Sequence, residues 1–131
     1  MRYLQVIYII TALIAGPSNQ KPIEQIPKKK FPSITVADVQ KKINIKNNIL
    51  LLDVRTVDEF DGPLGHIAGA VLIPIQELEQ RIDELNEHKE KEIIVICRSG
   101  NRSQIGTRIL ISHGINAVNM VGGMKAWNDL H

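Results

Sequence analysis

The 131-residue chain contains one cysteine, Cys97, and the six residues after it are Arg98-Ser99-Gly100-Asn101-Arg102-Ser103. A cysteine does chemistry as its thiolate, which is favoured by nearby cations, by converging backbone N–H groups and by the positive end of a helix. This stretch offers all three. The apolar run Ile93-Ile94-Val95-Ile96 before it reads as a strand, and the residues from about Arg102 read as a helix, so Cys97 falls at a strand-to-helix junction. In an open α/β sheet such a junction faces the crevice in which ligands bind. Gly100 and Asn101 are residue types that accept positive φ, so the loop can curl until successive amides aim at the sulfur. Arg98 and Arg102 add two guanidinium groups. The expectation is an exposed, low-pKa nucleophile at Cys97, with Arg98, Ser99, Gly100, Asn101, Arg102 and Ser103 holding the substrate and whatever the sulfur carries. A small buried hydrophobe at a strand end is the opposing reading, but packing gives no reason for two arginines around a Gly-Asn turn.

A second candidate group is Asp53 and Arg55, at the carboxyl end of another apolar run, Ile49-Leu50-Leu51-Leu52. They would brace the cysteine loop or meet substrate, with a plain structural ion pair as the alternative. His66 is read as a turn residue bonding to the backbone. Gly122 and Gly123 are read as a tight turn near the site, and Trp127 as a plug in the core. Having one cysteine excludes an intrachain disulfide framework and any CxxC zinc or dithiol motif. No metal and no cofactor are expected. The formal net charge of +2 gives no case for a nucleic-acid partner. Arg2, Lys21, Lys28, Lys29 and Lys30, against the single acid Glu24, fall in the first 30 residues, which leaves the remainder slightly acidic.

The elements that must position these residues follow from periodicity. Short apolar runs alternate with amphipathic stretches from residue 33 onward, which predicts an α/β domain over 33–131 with an open, mostly parallel sheet covered by helices on both faces. Strands are expected at Ile49–Leu52, Val71–Ile73, Ile93–Ile96 and Ala117–Met120. Thr35-x-x-Asp38 reads as a capping box opening a helix through about Ile43. Ile75, Leu78, Ile82 and Leu85 read as one face of a second helix. A third is expected over Arg102–Ser112, ended by His113-Gly114. With 4% aromatic residues the core must be aliphatic.

Residues 3–15 (YLQVIYIITALIA) form an apolar run behind Arg2, too short for a spanning helix and suited to a signal-peptide core. Residues 1–18 are read as a signal peptide or short membrane anchor, with Gly16 and Ser18 the best small pair for cleavage. Residues 19–32, holding Pro22, Pro27, Pro32 and Lys28-Lys29-Lys30, are read as a linker. Export is expected, to the periplasm in a Gram-negative cell, with any membrane contact confined to the leader. In such a compartment an exposed thiolate without a partner cysteine would form intermolecular disulfides.

Five motifs in order over residues 33–130 resemble the single-domain rhodaneses, a family of sulfurtransferases. They are Leu52-Asp53-Val54-Arg55; Asp58-Glu59-Phe60; Gly65-His66-Ile67-Ala68-Gly69-Ala70 with Pro74 after it; Cys97 through Ser103; and Gly122-Gly123-x-x-x-Trp127. The resemblance implies a Cys97 that takes sulfane sulfur from thiosulfate or a similar small anionic donor, becomes a persulfide, and passes the outer sulfur to cyanide or another thiophilic acceptor. Arg98 and Arg102 suit a dianionic donor and a departing sulfite. A persulfide carrier acting with a protein acceptor uses the same cysteine. A phosphatase or arsenate reductase of related fold would need the wider C-x5-R loop, whereas four residues separate Cys97 from Arg102 here. Two features depart from the family pattern. Ile105-Gly106 stands where Ala-Ala is common, and a mid-helix glycine costs about 1 kcal/mol unless close packing requires it. Residues 61–64 lengthen the segment before Gly65, which would reshape the pocket rim.

Overall fold

A computed structural model describes residues 31–45 and 48–131. The leader and nearly all of the linker read from the sequence lie outside the described residues. Five strands form one wholly parallel sheet: β1 (Ser33–Ile34), β2 (Ile49–Asp53), β3 (Val71–Leu72), β4 (Glu92–Ile96) and β5 (Ala117–Met120), in the order β1-β5-β4-β2-β3. β4 is central. Its register sets Asp53 beside Ile96 and Val95 beside Asn119, so Asp53, Cys97 and Asn119 gather at one end of three adjacent strands. The β1 edge strand had no signal in the sequence; two residues are held there because Asn119 N–H donates to Pro32 O and Val121 N–H to Ile34 O.

The continuous apolar runs have the expected cause. In β4, Ile93 and Val95, with Cys97 just after it, face one core while Ile94 and Ile96 face the other; β2 likewise divides Leu50 and Leu52, with Val54 just after it, from Leu51. Helix α3 (Asn101–Ser112) covers the first face through Leu110. Helices α1 (Val36–Asn44) and α4 (Gly123–Leu130) cover the second through Val39 and Met124. Each such side chain, fully buried, contributes about 1.5–3 kcal/mol. The Thr35 hydroxyl accepts from Asp38 N–H, as the capping box requires. Gly114 has φ +75°, and Ile115 N–H and Gly114 N–H close α3 on Leu110 O and Ile111 O, the left-handed C-terminal motif anticipated there.

The helix expected over Ile75–Leu85 is instead two 3-10 segments, Ile75–Glu77 and Ile82–His88. Leu78 and Leu85 are buried and Ile75 and Ile82 pack beside them, so the apolar face was read correctly and the winding was not. Ile75 to Leu78 and Ile82 to Leu85 are each three residues apart, the repeat of the tighter helix. A short α2 (Val57–Phe60), capped by Thr56 donating and accepting around Glu59, was not anticipated. Gly106 is explained by packing: a Cβ there would lie 3.1 Å from Val95 Cγ1 and 3.5 Å from Ile75 Cδ1. Trp127 is half-buried at the edge of the second core and tilts against His131, so it seals a margin and does not plug the interior.

Candidate active site

Cys97 follows β4 directly, and its sulfur sits inside a ring of donors. Gly100 N–H donates to Sγ at 2.9 Å, and the Ser103 hydroxyl lies 3.2 Å away. Gly100 takes φ +106°, which turns the loop back over the sulfur. Asn101 begins α3 with helical geometry, so of the two residues expected to turn the loop only Gly100 does so. Ser103 belongs to the first turn of α3, where N–H groups have no partner inside the helix. Burial pushes the thiol pKa up. The Ser103 hydroxyl and the amides of Ser103, Gly100 and Ser99 outweigh it and bring Cys97 below the ordinary thiol value. Cys97 is 1% exposed, which corrects the expectation of an exposed thiolate.

The loop is fastened from behind by α4. Met124 N–H donates to Cys97 O at 2.8 Å and Lys125 N–H to Arg98 O at 3.0 Å. With its carbonyls held by one helix, the loop turns its amides toward the sulfur. That approach requires Gly123, at φ +59°, because a Cβ would run into the Cys97 carbonyl and lie 2.6 Å from Arg98 C and O. The Gly-Gly turn is therefore a buttress of the cysteine loop.

Ser103 has a second partner that the sequence reading missed. Its hydroxyl donates to Asn119 Oδ1 at 2.5 Å, and Asn119 on β5 is 3% exposed. One hydroxyl proton thus stands between two acceptors, the Asn119 carbonyl oxygen and the Cys97 sulfur. No local motif marks Asn119; an asparagine in an apolar strand run was the available signal.

Asp53 and Arg55 form a wholly buried pair. Arg55 gives Nε and Nη2 to the Asp53 carboxylate, Nη1 to Glu59 O at 3.1 Å and Nη2 to Gly65 O at 2.7 Å. Of the roles considered, the structure shows the structural ion pair, which ties the 59–65 segment to the end of β2. His66 is a turn residue as read, with Nδ1 2.9 Å from Phe60 O and its ring stacked on Phe60.

Arg102 does not present a bare charge to the sulfur. Its two terminal nitrogens bind both oxygens of Glu59, at 2.6 Å each. The Arg102 hydrogen bonds come first among the causes that hold Glu59 at a pKa of about 2, against an opposing contribution from burial. Arg98 is exposed at the rim of a cavity of about 390 Å³, whose other walls are Arg55, Asp58, Glu59, Pro63 and Leu64. The lengthened 61–64 segment supplies Pro63 and Leu64, so it does form part of the rim. Among the described residues no group of acidic, histidine or cysteine side chains is disposed to hold a metal ion, and no helix is long and apolar enough to cross a membrane.

A cysteine cradled by amides between a parallel strand and a helix coincides with a family-wide match: the rhodanese-like domain model covers residues 35–130. The chain belongs to the rhodanese-like domain family. This rhodanese-like domain is 38% identical over 98 residues to a putative sulfur carrier protein, YrkF, of Bacillus subtilis, covering 74% of this chain and 51% of that one. It is 36% identical over 98 residues to a putative sulfurtransferase, YtwF, of the same organism, covering 75% and 91%. Among solved structures it matches a rhodanese-related protein from Thermoplasma volcanium with a TM-score of 0.68 and 34% identity, over 76% of this chain and 93% of that one. The chain spans about half the length of the first of these relatives. The rhodanese-like domain is thus one whose relatives carry the names of sulfurtransferases and sulfur carriers.

Proposed function

We propose that the protein is a sulfurtransferase working through a persulfide on Cys97. The observation that carries this reading is the ring of backbone amides around Sγ, that of Gly100 at 2.9 Å above all, with the Ser103 hydroxyl 3.2 Å away. Such a ring stabilises an anionic sulfur twice, first as the thiolate that attacks and then as the persulfide that waits. With thiosulfate as donor, the Cys97 thiolate attacks the outer sulfur, the donor S–S bond breaks, and sulfite departs with the bonding pair. The enzyme keeps Cys97–S–S⁻. Cyanide or another thiophile then attacks the outer sulfur, the persulfide bond breaks, and the thiolate returns with thiocyanate as product. The chain has no second cysteine to resolve the persulfide, so a bound acceptor must.

A second reading, a carrier that hands its sulfur to a partner protein, is favoured by the pairing of Arg102 with Glu59, which leaves less cationic charge for a small dianion, and by the carrier name of the YrkF relative. With residues 1–18 read as a leader, either activity is assigned to an exported protein, and fractionation of cells expressing the full chain tests that. Incubation with thiosulfate, followed by intact mass and sulfite release, tests the transfer. One sulfur gained on Cys97 and released by cyanide as thiocyanate is expected, with none gained by Cys97→Ser. A folded protein that gains sulfur only from a protein persulfide supports the carrier, and one that gains none from any donor refutes both.

A further inference from the structure

Of the two arginines expected to greet a dianion, Arg102 has met a carboxylate first, and Arg98 stands exposed at the cavity rim. Arg102 is clamped on Glu59 through two bonds of 2.6 Å, with the side chains 31% and 29% exposed, and Arg55 is sealed against Asp53. The cavity beside the loop sets two cations, Arg55 and Arg98, against two anions, Asp58 and Glu59, and completes its wall with Pro63 and Leu64. By formal charge this mouth is neutral. Thiosulfate brings two negative charges to a sulfur that is already anionic, and sulfite carries two away; a balanced mouth offers that transfer little Coulombic help. An organic persulfide needs less of it and has an organic part to place in the 390 Å³ beside Pro63 and Leu64.

We propose that Glu59 is a specificity-determining residue which, by holding Arg102, turns the site toward organic persulfides, R–S–SH, and away from thiosulfate. This rests on the sulfur-transfer reading of Cys97. In the step, the Cys97 thiolate attacks the terminal sulfur of R–S–SH and the donor S–S bond breaks. R–S⁻ leaves with the bonding pair and takes up the persulfide proton, so Cys97–S⁻ and R–S–SH become Cys97–S–S⁻ and R–SH. No oxidant or reductant is consumed, and no dianion departs.

The test measures single-turnover sulfur loading of Cys97, by intact mass, from thiosulfate and from glutathione persulfide in parallel, on the wild type and on Glu59→Gln. The amide keeps the size of Glu59 and removes the charge that answers Arg102. The wild type is expected to load from glutathione persulfide at least about tenfold faster at equal concentration. In Glu59→Gln the thiosulfate-to-persulfide ratio of kcat/KM should rise about tenfold, the effect of unmasking one guanidinium for a dianion. A wild type that prefers thiosulfate, or a ratio unmoved by Glu59→Gln while both donors still load, overturns the proposal and leaves the transfer reading standing. Loading by neither donor overturns the transfer reading and the proposal with it. A measurement on the wild type alone guards against a variant that fails to fold. Thiosulfate loading should be nearly flat between about 0.01 and 0.3 M salt, because a neutral mouth has little attraction to screen; a steep fall with salt overturns the proposal.

Discussion

Three glycines with left-handed backbone separate the positioning of the cysteine loop from mere backbone strain. Gly114, Gly122 and Gly123 have φ of +75°, +79° and +59°, so alanine at any of them meets a similar penalty, about 1–2 kcal/mol. Their surroundings differ. A Cβ at Gly114 has nothing within 4 Å; at Gly122 it meets Ala126 Cβ at 2.6 Å, inside α4 itself; at Gly123 it strikes the backbone of Cys97 and Arg98. Relief at Gly123 requires the loop to retreat by about half an ångström, because Arg98 C and O lie 2.6 Å away where real contacts start near 3.0 Å. Since a misplacement of about 1 Å can cost about a hundredfold in rate, half of that predicts about tenfold. Urea unfolding and the rate of Cys97 alkylation by iodoacetamide at fixed pH are the paired measurements. Gly114→Ala should lose about 1 kcal/mol of stability and keep the alkylation rate. Gly122→Ala should lose more stability with a small change in rate. Gly123→Ala should lose the most stability and react about tenfold more slowly, because its thiolate no longer has the Gly100 amide in place. Alkylation of Gly123→Ala within twofold of the wild type would refute the assignment of α4 as the buttress that aims the loop.

The Asp53–Arg55 pair predicts a cost in stability of about 3–5 kcal/mol for Asp53→Ala, since a fully buried guanidinium would lose its counter-charge; a loss below 1 kcal/mol in urea would show that water or another carboxylate reaches Arg55. Ser103→Ala removes the largest of the contacts that lower the Cys97 pKa, so the thiolate absorbance should titrate at higher pH than in the wild type. An unshifted titration would mean that the amides alone hold the sulfur. Glu59 has a folded pKa of about 2 against an ordinary value of 4.5, so the stability it contributes is complete above 4.5 and is lost as pH falls toward 2. Unfolding between pH 2 and 7 should therefore show a shallower acid limb in Glu59→Gln than in the wild type, and parallel limbs would contradict the ion pair. Cys97 is likewise depressed, so its contribution is present above its ordinary thiol value and lost as pH falls through the folded one; Cys97→Ser should lack that alkaline gain.

Much of this protein is local and was legible as such. Strands with Leu50-Leu51-Leu52 or Ile93-Ile94-Val95-Ile96 have apolar groups for two faces, and only a covered parallel sheet can bury both. Placing Cys97 between such a strand and a helix follows from the run before it and the periodicity after it, and Gly100 marks the turn. Thr35 and Gly114 announced the ends of their helices because caps are made by neighbours in sequence. The two 3-10 segments lay at the limit of this reading: spacings of three and four name the buried face, but which hydrogen bonds close depends on how far the backbone must reach to stay on the sheet.

The site's electrostatics were decided elsewhere. Glu59 stands 43 residues from Arg102, and its clamp on that guanidinium arises only because α2 and α3 meet at one end of the sheet. Asn119 on β5 reaches Ser103 in the first turn of α3, and Met124 and Lys125 hold the loop's carbonyls because Gly123 allows α4 to approach. Residue types and short spacings determine which group can react and which local turn holds it. The charge that group feels is the sum over whatever the fold brings near, and Coulomb interactions follow distance in space with no regard for distance along the chain.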